Sequence, residues 1–328
     1  MNARIFLAGC LMATSVAAET PVLNVYTYDS FTSDWGPGPK VEEAFEATCG
    51  CDLKFTAAGD GAALLARLQL EGAKTDADIV LGLDNNLMAK AKDTGLFAAL
   101  PKMDVTYSLP LTWNDTHFAP YDWGYFSFVY DKTKLKTVPT SFTDLAASDT
   151  SIVIQDPRSS TPGLGLMMWV KDAYGDEAPK IWSDLSDNIV TVSKGWSESY
   201  GMFLEGEADM VLSYTTSPAY HLIAEEDDSK AAAAFDEGHY MQIEVAGKVA
   251  GTDQSDLADQ FLNFMVSDGF QSLIATTNWM YPAVTPNAGL PKGFETLITP
   301  NASRLVPISD APALREEALQ EWRAALSR

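Results

Sequence analysis

The sequence is poor in basic residues, cysteine and histidine, and it lacks long apolar runs. It carries 22 Lys and Arg residues against 45 Asp and Glu residues, which gives a formal net charge of -23 at pH 7. Such an acidic chain repels nucleic acid and anionic membrane surfaces at long range, so neither is an expected partner. Beyond the first eighteen residues, no apolar run reaches the roughly 18 residues that a membrane-spanning helix needs. The acidity is also compatible with a plain solubility role, and by itself it identifies no ligand.

The length of the chain favours two lobes. With 328 residues, of which 46% are hydrophobic, it can bury a large core and exceeds the usual size of one small domain. Neither a short-period repeat nor a low-complexity linker is present in the sequence. We therefore expect the lobes to be joined by strands within the sheet, with the chain crossing between them more than once.

The first eighteen residues have the features of a cleavable export signal. Arg4 supplies the positive end, a short apolar core follows, and small residues end at Ala18. We predict an exported protein whose mature chain begins near Glu19. The run from Leu7 to Cys10 also has the shape of a lipid-attachment box, but the apolar stretch before Cys10 is short for an export core.

Removal of that segment leaves two cysteines, Cys49 and Cys51. In an exported chain such a pair favours one structural disulfide, and the intervening Gly50 suits the tight ring that results. A metal site would need further ligands, and the three histidines show no zinc-type spacing with this pair. We therefore predict a disulfide and no metal site.

Strand-like and helix-like segments alternate along the chain. In the N-terminal part we predict strands at 22–28, 52–56 and 77–83, and helices at 40–47, 62–71 and 86–94. A second series begins with an aromatic-rich strand at 124–129 and continues with a helix near Phe142, strands at 151–155, 189–192, 208–213 and 240–245, and helices at 162–172, 177–185, 219–225, 256–266 and 311–326. This order predicts an α/β fold with a mainly parallel sheet, in which ligands bind beyond the carboxyl ends of the strands.

The same pattern gives a division of the chain. We predict a signal peptide at 1–18, a first lobe formed by 19–124 and about 237–285, and a second lobe formed by 125–236 and about 286–328.

Two loops of the first lobe carry candidate ligand-binding residues. Tyr28 ends the first predicted strand, and a Pro/Gly turn holds Trp35 beside the next helix, where its ring either faces a ligand or covers the core. Asp60 and Gly61 open the helix at 62–71. Asp60 is a natural N-cap, and Gly61 would let a ligand approach the backbone.

A third loop, residues 159–165, places hydroxyl groups at a helix start. We predict Thr161 at the N-cap and Pro162 at the first helical position, with the hydroxyls of Ser160 and Thr161 beside the positive end of the helix. A phosphate-sized anion would fit there, although simple capping would explain the same residues. The glycine spacing and lysine of a nucleotide P-loop are missing.

A fourth group of candidates is aromatic and lies among small polar residues. Facing rings can hold a planar ring by stacking and attract a cationic one, although a single aromatic residue is more often part of a core. The candidates are Trp196, Tyr214, Thr215, Thr216, Ser217, Tyr220, Trp279 and Tyr281.

Several of these segments are similar to those of one known family. They are YTYDSF, DWGPGP, VLGLDNN, TGLFA, FVYDK, IVIQDPRSSTPGLGL, VTVSKGWSESYG, VLSYTTSPAYH, EGHY and NWMYP. Together they resemble the periplasmic thiamine-binding proteins, the solute-binding subunits of bacterial thiamine ABC transporters. The resemblance runs from about Val22 to about Pro282, and the Cys-x-Cys pair shares it.

The resemblance implies a two-lobed type II periplasmic binding fold that closes over thiamine, thiamine monophosphate or thiamine diphosphate. It implies ligand contacts from Asp60, Gly61, Ser160, Thr161, Trp196 and residues 214–217, with Tyr220 and Trp279 sandwiching the ligand. It also implies a monomer that delivers its ligand to an inner-membrane permease, with no cofactor and no catalytic residue.

Two other classes of function stay open at this point. Thiamine-degrading enzymes share the architecture but need an activated nucleophile, usually a free cysteine with a carboxylate base. The sequence contains neither Gly-x-Ser-x-Gly nor His-Glu-x-x-His. A binding protein for iron, a polyamine or a sugar is the other alternative.

Overall fold

A computed structural model of the protein describes residues 20–326. The predicted signal peptide and the possible lipid-attachment box therefore lie outside the described residues. The N-terminal elements are β1 (Val22–Thr27), α1 (Gly38–Cys49), β2 (Asp52–Ala57), α2 (Gly61–Glu71), β3 (Ile79–Asp84) and α3 (Met88–Asp93). The next are β4 (Ala119–Asp131), α4 (Phe142–Ala146), β5 (Ile152–Gln155), α5 (Thr161–Tyr174), α6 (Ala178–Leu185), β6 (Ile189–Ser193), α7 (Trp196–Glu205), β7 (Met210–Tyr214) and α8 (Pro218–Ala224). The last are β8 (Lys230–Ala232), β9 (His239–Lys248), α9 (Ser255–Met265), α10 (Asp268–Thr277), β10 (Tyr281–Pro282), β11 (Ser303–Arg304) and α11 (Ala311–Leu326).

The main strands form one continuous sheet in the order β2-β1-β3-β9-β4-β7-β5-β6. At one end β1 pairs in parallel with β2 and β3, and at the other β5 pairs in parallel with β6 and β7. In the centre β9 runs antiparallel to β3 and β4, and β4 runs antiparallel to β7. The expectation of a mainly parallel sheet is thus wrong for the centre, because strand-like patterning does not reveal the direction of the partner strand.

The central strands β4 and β9 connect the two parallel parts of the sheet. β4 has 13 residues and pairs with both β9 and β7, while every residue of β9 is buried. The predicted crossing of the chain within the sheet is therefore present. The exact lobe boundaries stay a prediction, since β4 continues without interruption through the boundary predicted at residue 124.

Helices cover both faces of the sheet and bury its apolar side chains. α11 occupies the predicted range and contacts α5 and α6, with Trp322 buried and Leu314 and Leu319 half-buried. Two helices, α7 and α10, were not predicted. Each contains a glycine, Gly201 or Gly269, which lowers the helix propensity of the segment.

Cys49 and Cys51 are joined by a disulfide at the end of α1, as the sequence predicts. Gly50 between them has a φ of 63°, a left-handed conformation that glycine adopts without strain and that ends the helix. Among residues 20–326, no helix combines the length and the apolar composition required to span a bilayer.

Candidate functional site

A cavity of about 300 Å³ lies where carboxyl ends of strands from both parts of the sheet face each other. Tyr28 follows β1 and Tyr214 ends β7, and both side chains line the cavity. This position agrees with the rule for ligand sites in open α/β sheets.

The cavity collects most of the residues singled out from the sequence. Lining it are Tyr28, Trp35, Asp60, Thr161, Trp196, Tyr214, Ser217, Tyr220 and Trp279. Gly61, Ser160, Thr215, Thr216 and Tyr281 lie outside that lining. Whether each lining residue contacts a ligand stays a prediction.

Asp60 links the two parts of the sheet through its carboxylate. Its Oδ2 accepts a hydrogen bond from the Ser160 hydroxyl at 2.7 Å and one from the Trp196 backbone N–H at 3.2 Å. Asp60 does occupy the N-cap position of α2, but its side chain makes no capping hydrogen bond there. Burial raises the pKa of this carboxyl to about 6, while the two hydrogen bonds oppose that rise.

Gly61 and Thr161 make a second contact between the same two parts. The Gly61 N–H donates to Thr161 Oγ1 at 3.0 Å, and a Cβ on Gly61 would lie only 2.7 Å from that oxygen. Glycine therefore permits the close approach of α5, and its predicted contact with a ligand stays a prediction.

The start of α5 differs by one residue from the prediction. Ser160 occupies the N-cap position and Thr161 is the first helical residue, and the Ser160 side chain makes no capping hydrogen bond. In this structure the Ser160 hydroxyl donates to Asp60 and Thr161 Oγ1 accepts from Gly61. Neither hydroxyl therefore serves as a plain cap.

Trp196 and Trp35 both border the cavity, and their rings lie close together. Trp196 stacks on Tyr200 with centroids 5.0 Å apart, and its Nε1–H donates to Ser213 Oγ at 2.8 Å. The ring of Trp35 lies 6.0 Å from that of Trp196 and is 53% exposed. Trp35 thus does not cover the core, and Trp196 is the first residue of α7.

Tyr220 and Trp279 touch edge to face, with centroids 5.4 Å apart and ring planes at 73°. A ligand sandwich needs two parallel rings with space for a third, so this structure does not contain the predicted sandwich geometry. Trp279 follows the end of α10 with a φ of 57°, and its N–H donates to the Ile274 carbonyl. Glycine is the usual residue at such a helix end, and the left-handed conformation costs a larger residue about 1–2 kcal/mol.

Of the remaining candidates, Ser217 belongs to the cavity lining, whereas Thr215, Thr216 and Tyr281 lie outside it. Thr215 and Thr216 are buried, and the Thr216 hydroxyl contacts Met280 Sδ at 3.6 Å. Ser217 Oγ lies 2.7 Å from Ser213 Oγ. Tyr281 stacks on Trp123 with centroids 4.7 Å apart, away from the cavity lining.

Three carboxyl groups at one level of the central strands form an acidic row that the sequence did not predict. It consists of Asp84 in β3, Glu244 in β9 and Asp122 in β4, with Glu244 paired in register to both neighbours. Glu244 lines the cavity, and its Oε2 accepts hydrogen bonds from Tyr28 at 3.0 Å and Tyr121 at 2.8 Å.

Asn278, at the end of α10, connects the acidic row to the aromatic wall. Its Nδ2 donates to Asp122 Oδ2 at 2.6 Å and to the Tyr28 hydroxyl at 2.9 Å. Because Trp279 follows directly in the chain, the Asn278 side chain ties the position of the indole to the sheet.

Burial governs the ionisation of the acidic row. It raises the pKa of Glu244 to about 7, against the hydrogen bonds from Tyr121 and Tyr28, which favour the charged form. Burial and then the charge of Glu244 hold the pKa of Asp122 well above its ordinary value. Two such neighbours do not both ionise at neutral pH, and the two phenols make Glu244 the one that carries the charge.

Three side chains that could bind a metal ion lie close together near Tyr200. Within residues 20–326, potential ligand atoms of His221, Glu225 and Asp227 lie within 4.8 Å of one another. His221 is buried, with Nε2 2.9 Å from the Tyr200 hydroxyl and Nδ1 2.6 Å from Glu225 Oε2. Both ring nitrogens are thus engaged, and Nε2 contacts the hydroxyl of Tyr200, whose ring stacks on Trp196.

Comparison with known proteins identifies the family of this chain. The sequence matches the bacterial extracellular solute-binding protein family over residues 38–272. It is 52% identical to the thiamine-binding periplasmic protein of Escherichia coli (strain K12), over 97% of each chain. The chain belongs to the family of bacterial thiamine-binding periplasmic proteins.

Other members of the family give the same result. The thiamine-binding periplasmic protein of Salmonella typhimurium is 51% identical over 98% of this chain and 99% of its own. A solved structure of a periplasmic thiamin binding protein, 51% identical, superposes with a TM-score of 0.91 over 97% of this chain and 100% of that one. The family and the type II periplasmic binding fold predicted from the sequence are thereby confirmed.

Proposed function

We propose that this protein captures thiamine, thiamine monophosphate and thiamine diphosphate in the periplasm and delivers them, as a monomer, to the inner-membrane permease of an ABC importer. Its membership of the thiamine-binding periplasmic proteins supports the ligand, and the names of its relatives support the compartment. The predicted signal peptide, cleaved near Ala18, would provide the route of export.

One observation carries the proposal beyond family membership. The cavity combines aromatic walls, Trp196 and Trp279 among them, with the buried carboxyl group of Glu244. Thiamine consists of a permanently cationic thiazolium joined to a planar aminopyrimidine. Aromatic faces and a carboxylate both favour a flat cation, and the volume is at the lower end of the roughly 300–1,000 Å³ of small-molecule sites.

Capture without chemical conversion is part of the proposal. A thiamine-degrading enzyme would need a free nucleophile, usually a cysteine thiolate, and Cys49 and Cys51 are joined to each other. We see no comparable support for iron, a polyamine or a sugar as the principal ligand.

Calorimetry with purified, ligand-stripped protein tests this function. We expect one site per chain for thiamine and for each phosphate ester, and recovery of intact thiamine by mass spectrometry after prolonged incubation. Absence of thiamine binding would refute the proposal, and recovery of separated pyrimidine and thiazole products would favour the enzyme alternative.

Two substitutions at Trp279 distinguish the effect of its indole ring on ligand affinity from the effect of its backbone conformation on stability. We expect Trp279→Ala and Trp279→Gly to weaken thiamine binding equally, by about 1–3 kcal/mol, because both lose the indole face. The free energy of unfolding of Trp279→Gly should exceed that of Trp279→Ala by about 1 kcal/mol, since glycine tolerates the positive φ of this position. Thermal unfolding and calorimetry on both variants measure these effects, and unchanged affinity in both would exclude the indole from the site.

A further inference from the structure

The face of β9 that carries Glu244 carries a second polar residue. Side chains alternate along a strand, so Gln242 points to the same side as Glu244. Gln242 pairs in register with Gly124 of β4, which has no side chain of its own, whereas Glu244 pairs with Asp122. Gln242 lines the cavity together with Glu244.

The amide of Gln242 has no partner within the described part of the chain. The residue is 0% exposed, and neither Nε2 nor Oε1 makes a hydrogen bond. A buried amide group that is left without a hydrogen-bond partner destabilises the folded state. Such a group in a cavity wall is available to form hydrogen bonds with a molecule that enters the cavity.

Another buried glutamine, Gln271, illustrates the contrast. Its Nε2 donates to the carbonyls of Tyr121 and Met265, and its Oε1 accepts from the Val284 N–H. Gln271, outside the cavity lining, is thus bonded at both its donor and its acceptor, while Gln242, which lines the cavity, has neither bonded.

We propose that Gln242 determines specificity by pairing with the hydrogen-bonding edge of the ligand's aminopyrimidine. Its Oε1 accepts from the exocyclic amine and its Nε2 donates to the adjacent ring nitrogen. This inference rests on the proposed thiamine-binding function.

The chemistry of the ligand selects this ring over its other parts. A primary amide presents a donor and an acceptor side by side, which matches an amine next to a ring nitrogen, as in the pairing of glutamine with adenine. The thiazolium nitrogen is quaternary, so it has neither a proton to donate nor a lone pair to accept. A fully ionised phosphate offers acceptors only and would leave Oε1 unpaired.

Gln242→Met tests the pairing, because methionine has a similar length without hydrogen-bonding groups. Binding should be measured by calorimetry for thiamine, and by saturation-transfer NMR for 4-amino-5-hydroxymethyl-2-methylpyrimidine and for the methylated hydroxyethylthiazolium. We expect affinity for thiamine and for the pyrimidine to fall at least tenfold, about 1.4 kcal/mol. The affinity of Gln242→Met for the thiazolium should equal that of the wild-type. The control variant Gln69→Met should bind all three ligands as the wild-type does, since Gln69 is exposed on α2 outside the cavity.

A second measurement does not depend on the substitution being tolerated. In ¹⁵N-labelled wild-type protein, the side-chain amide signal of Gln242 should shift with thiamine and with the pyrimidine, and stay in place with the thiazolium. Unchanged thiamine affinity in Gln242→Met, an equal loss for both fragments, or an amide signal that thiamine leaves unmoved would each overturn the inference. A wild-type protein that binds no thiamine at all would instead refute the proposed function.

Discussion

Glu244→Gln is expected to weaken thiamine binding by about 2 kcal/mol or more, roughly thirtyfold, while leaving the fold intact. The substitution removes the carboxylate that the cavity offers to the thiazolium, and truncating one partner of a buried charge pair costs about 2–5 kcal/mol. A glutamine oxygen can still accept the hydrogen bonds that Tyr28 and Tyr121 donate to Oε2. The loss should therefore reflect charge rather than shape.

The same group makes binding depend on pH. The groups facing Glu244 are Tyr28, Tyr121, Asp122, Asn278 and Asp84, and the pKa of Glu244 lies near 7. Below that pH the carboxyl is protonated and attracts the cation less, so affinity should fall by up to about tenfold per pH unit as the pH is lowered from 7. Calorimetry between pH 5.5 and 8 measures this slope, which should be much smaller in Glu244→Gln.

Folding stability should change with pH in the opposite direction. A carboxyl whose pKa is raised in the folded state contributes stability that is complete below its unfolded pKa and is lost as the pH rises through its folded pKa. The unliganded protein should therefore lose stability as the pH rises from about 4.5 to 7, and Glu244→Gln should lose less.

Glu207→Gln, at an exposed position away from the cavity, is the matched control for both the affinity and the stability measurements. Equal affinity and equal pH slopes in all three proteins would exclude Glu244 as the counter-charge.

Asp60→Asn should shift the preference of the protein towards phosphate esters. The amino ends of α2, α5 and α7 meet at the Asp60 carboxylate, which already supplies negative charge where helix ends favour an anion. An ester phosphate bound nearby would be repelled, by about 3 kcal/mol for unit charges about 5 Å apart at an effective dielectric of about 20. Asparagine keeps an oxygen for Ser160 and Trp196 and removes the charge.

The measured quantity is the ratio of dissociation constants of thiamine and thiamine monophosphate. We expect this ratio to change in favour of the ester by at least tenfold, about 1.4 kcal/mol. Asp93→Asn removes one charge from an exposed position of α3 and should leave the ratio unchanged. If Asp60→Asn weakens both ligands by the same factor, the carboxylate serves only to hold the two parts of the sheet together.

The sequence predicted the ends of β1 and β7 and the starts of α2 and α5 to within one residue. It did not predict α7 and α10, which also contribute to the site, or the contacts between distant segments. The helix start at Ser160 and Thr161 is readable from a Pro/Gly pattern. Which groups their hydroxyls meet depends on the approach of α2, a hundred residues earlier, and no local pattern records that approach. From the sequence alone, both hydroxyls fit either a ligand phosphate or a plain cap, and the structure joins them to Asp60 and Gly61.

The acidic row was missed although part of its signal is visible. The segment at 240–245 was predicted as a strand, and Gln242 and Glu244 are polar residues two positions apart in that otherwise apolar run. Polar side chains on one face of a buried strand indicate a cavity. That Glu244 lies between Asp84 and Asp122 required the sheet order, which places a late strand between two early ones.

That sheet order also bears on how fast the chain folds. β3 and β4 follow each other along the chain, but β9 lies between them, so the centre of the sheet cannot form before residues 239–248 are present. Pairings between such distant segments are reached slowly, because the entropy of closing the loop must be lost before the contacts form. A chain that still lacks β9 therefore cannot complete this sheet, so the centre of the fold assembles only after most of the chain has been synthesised.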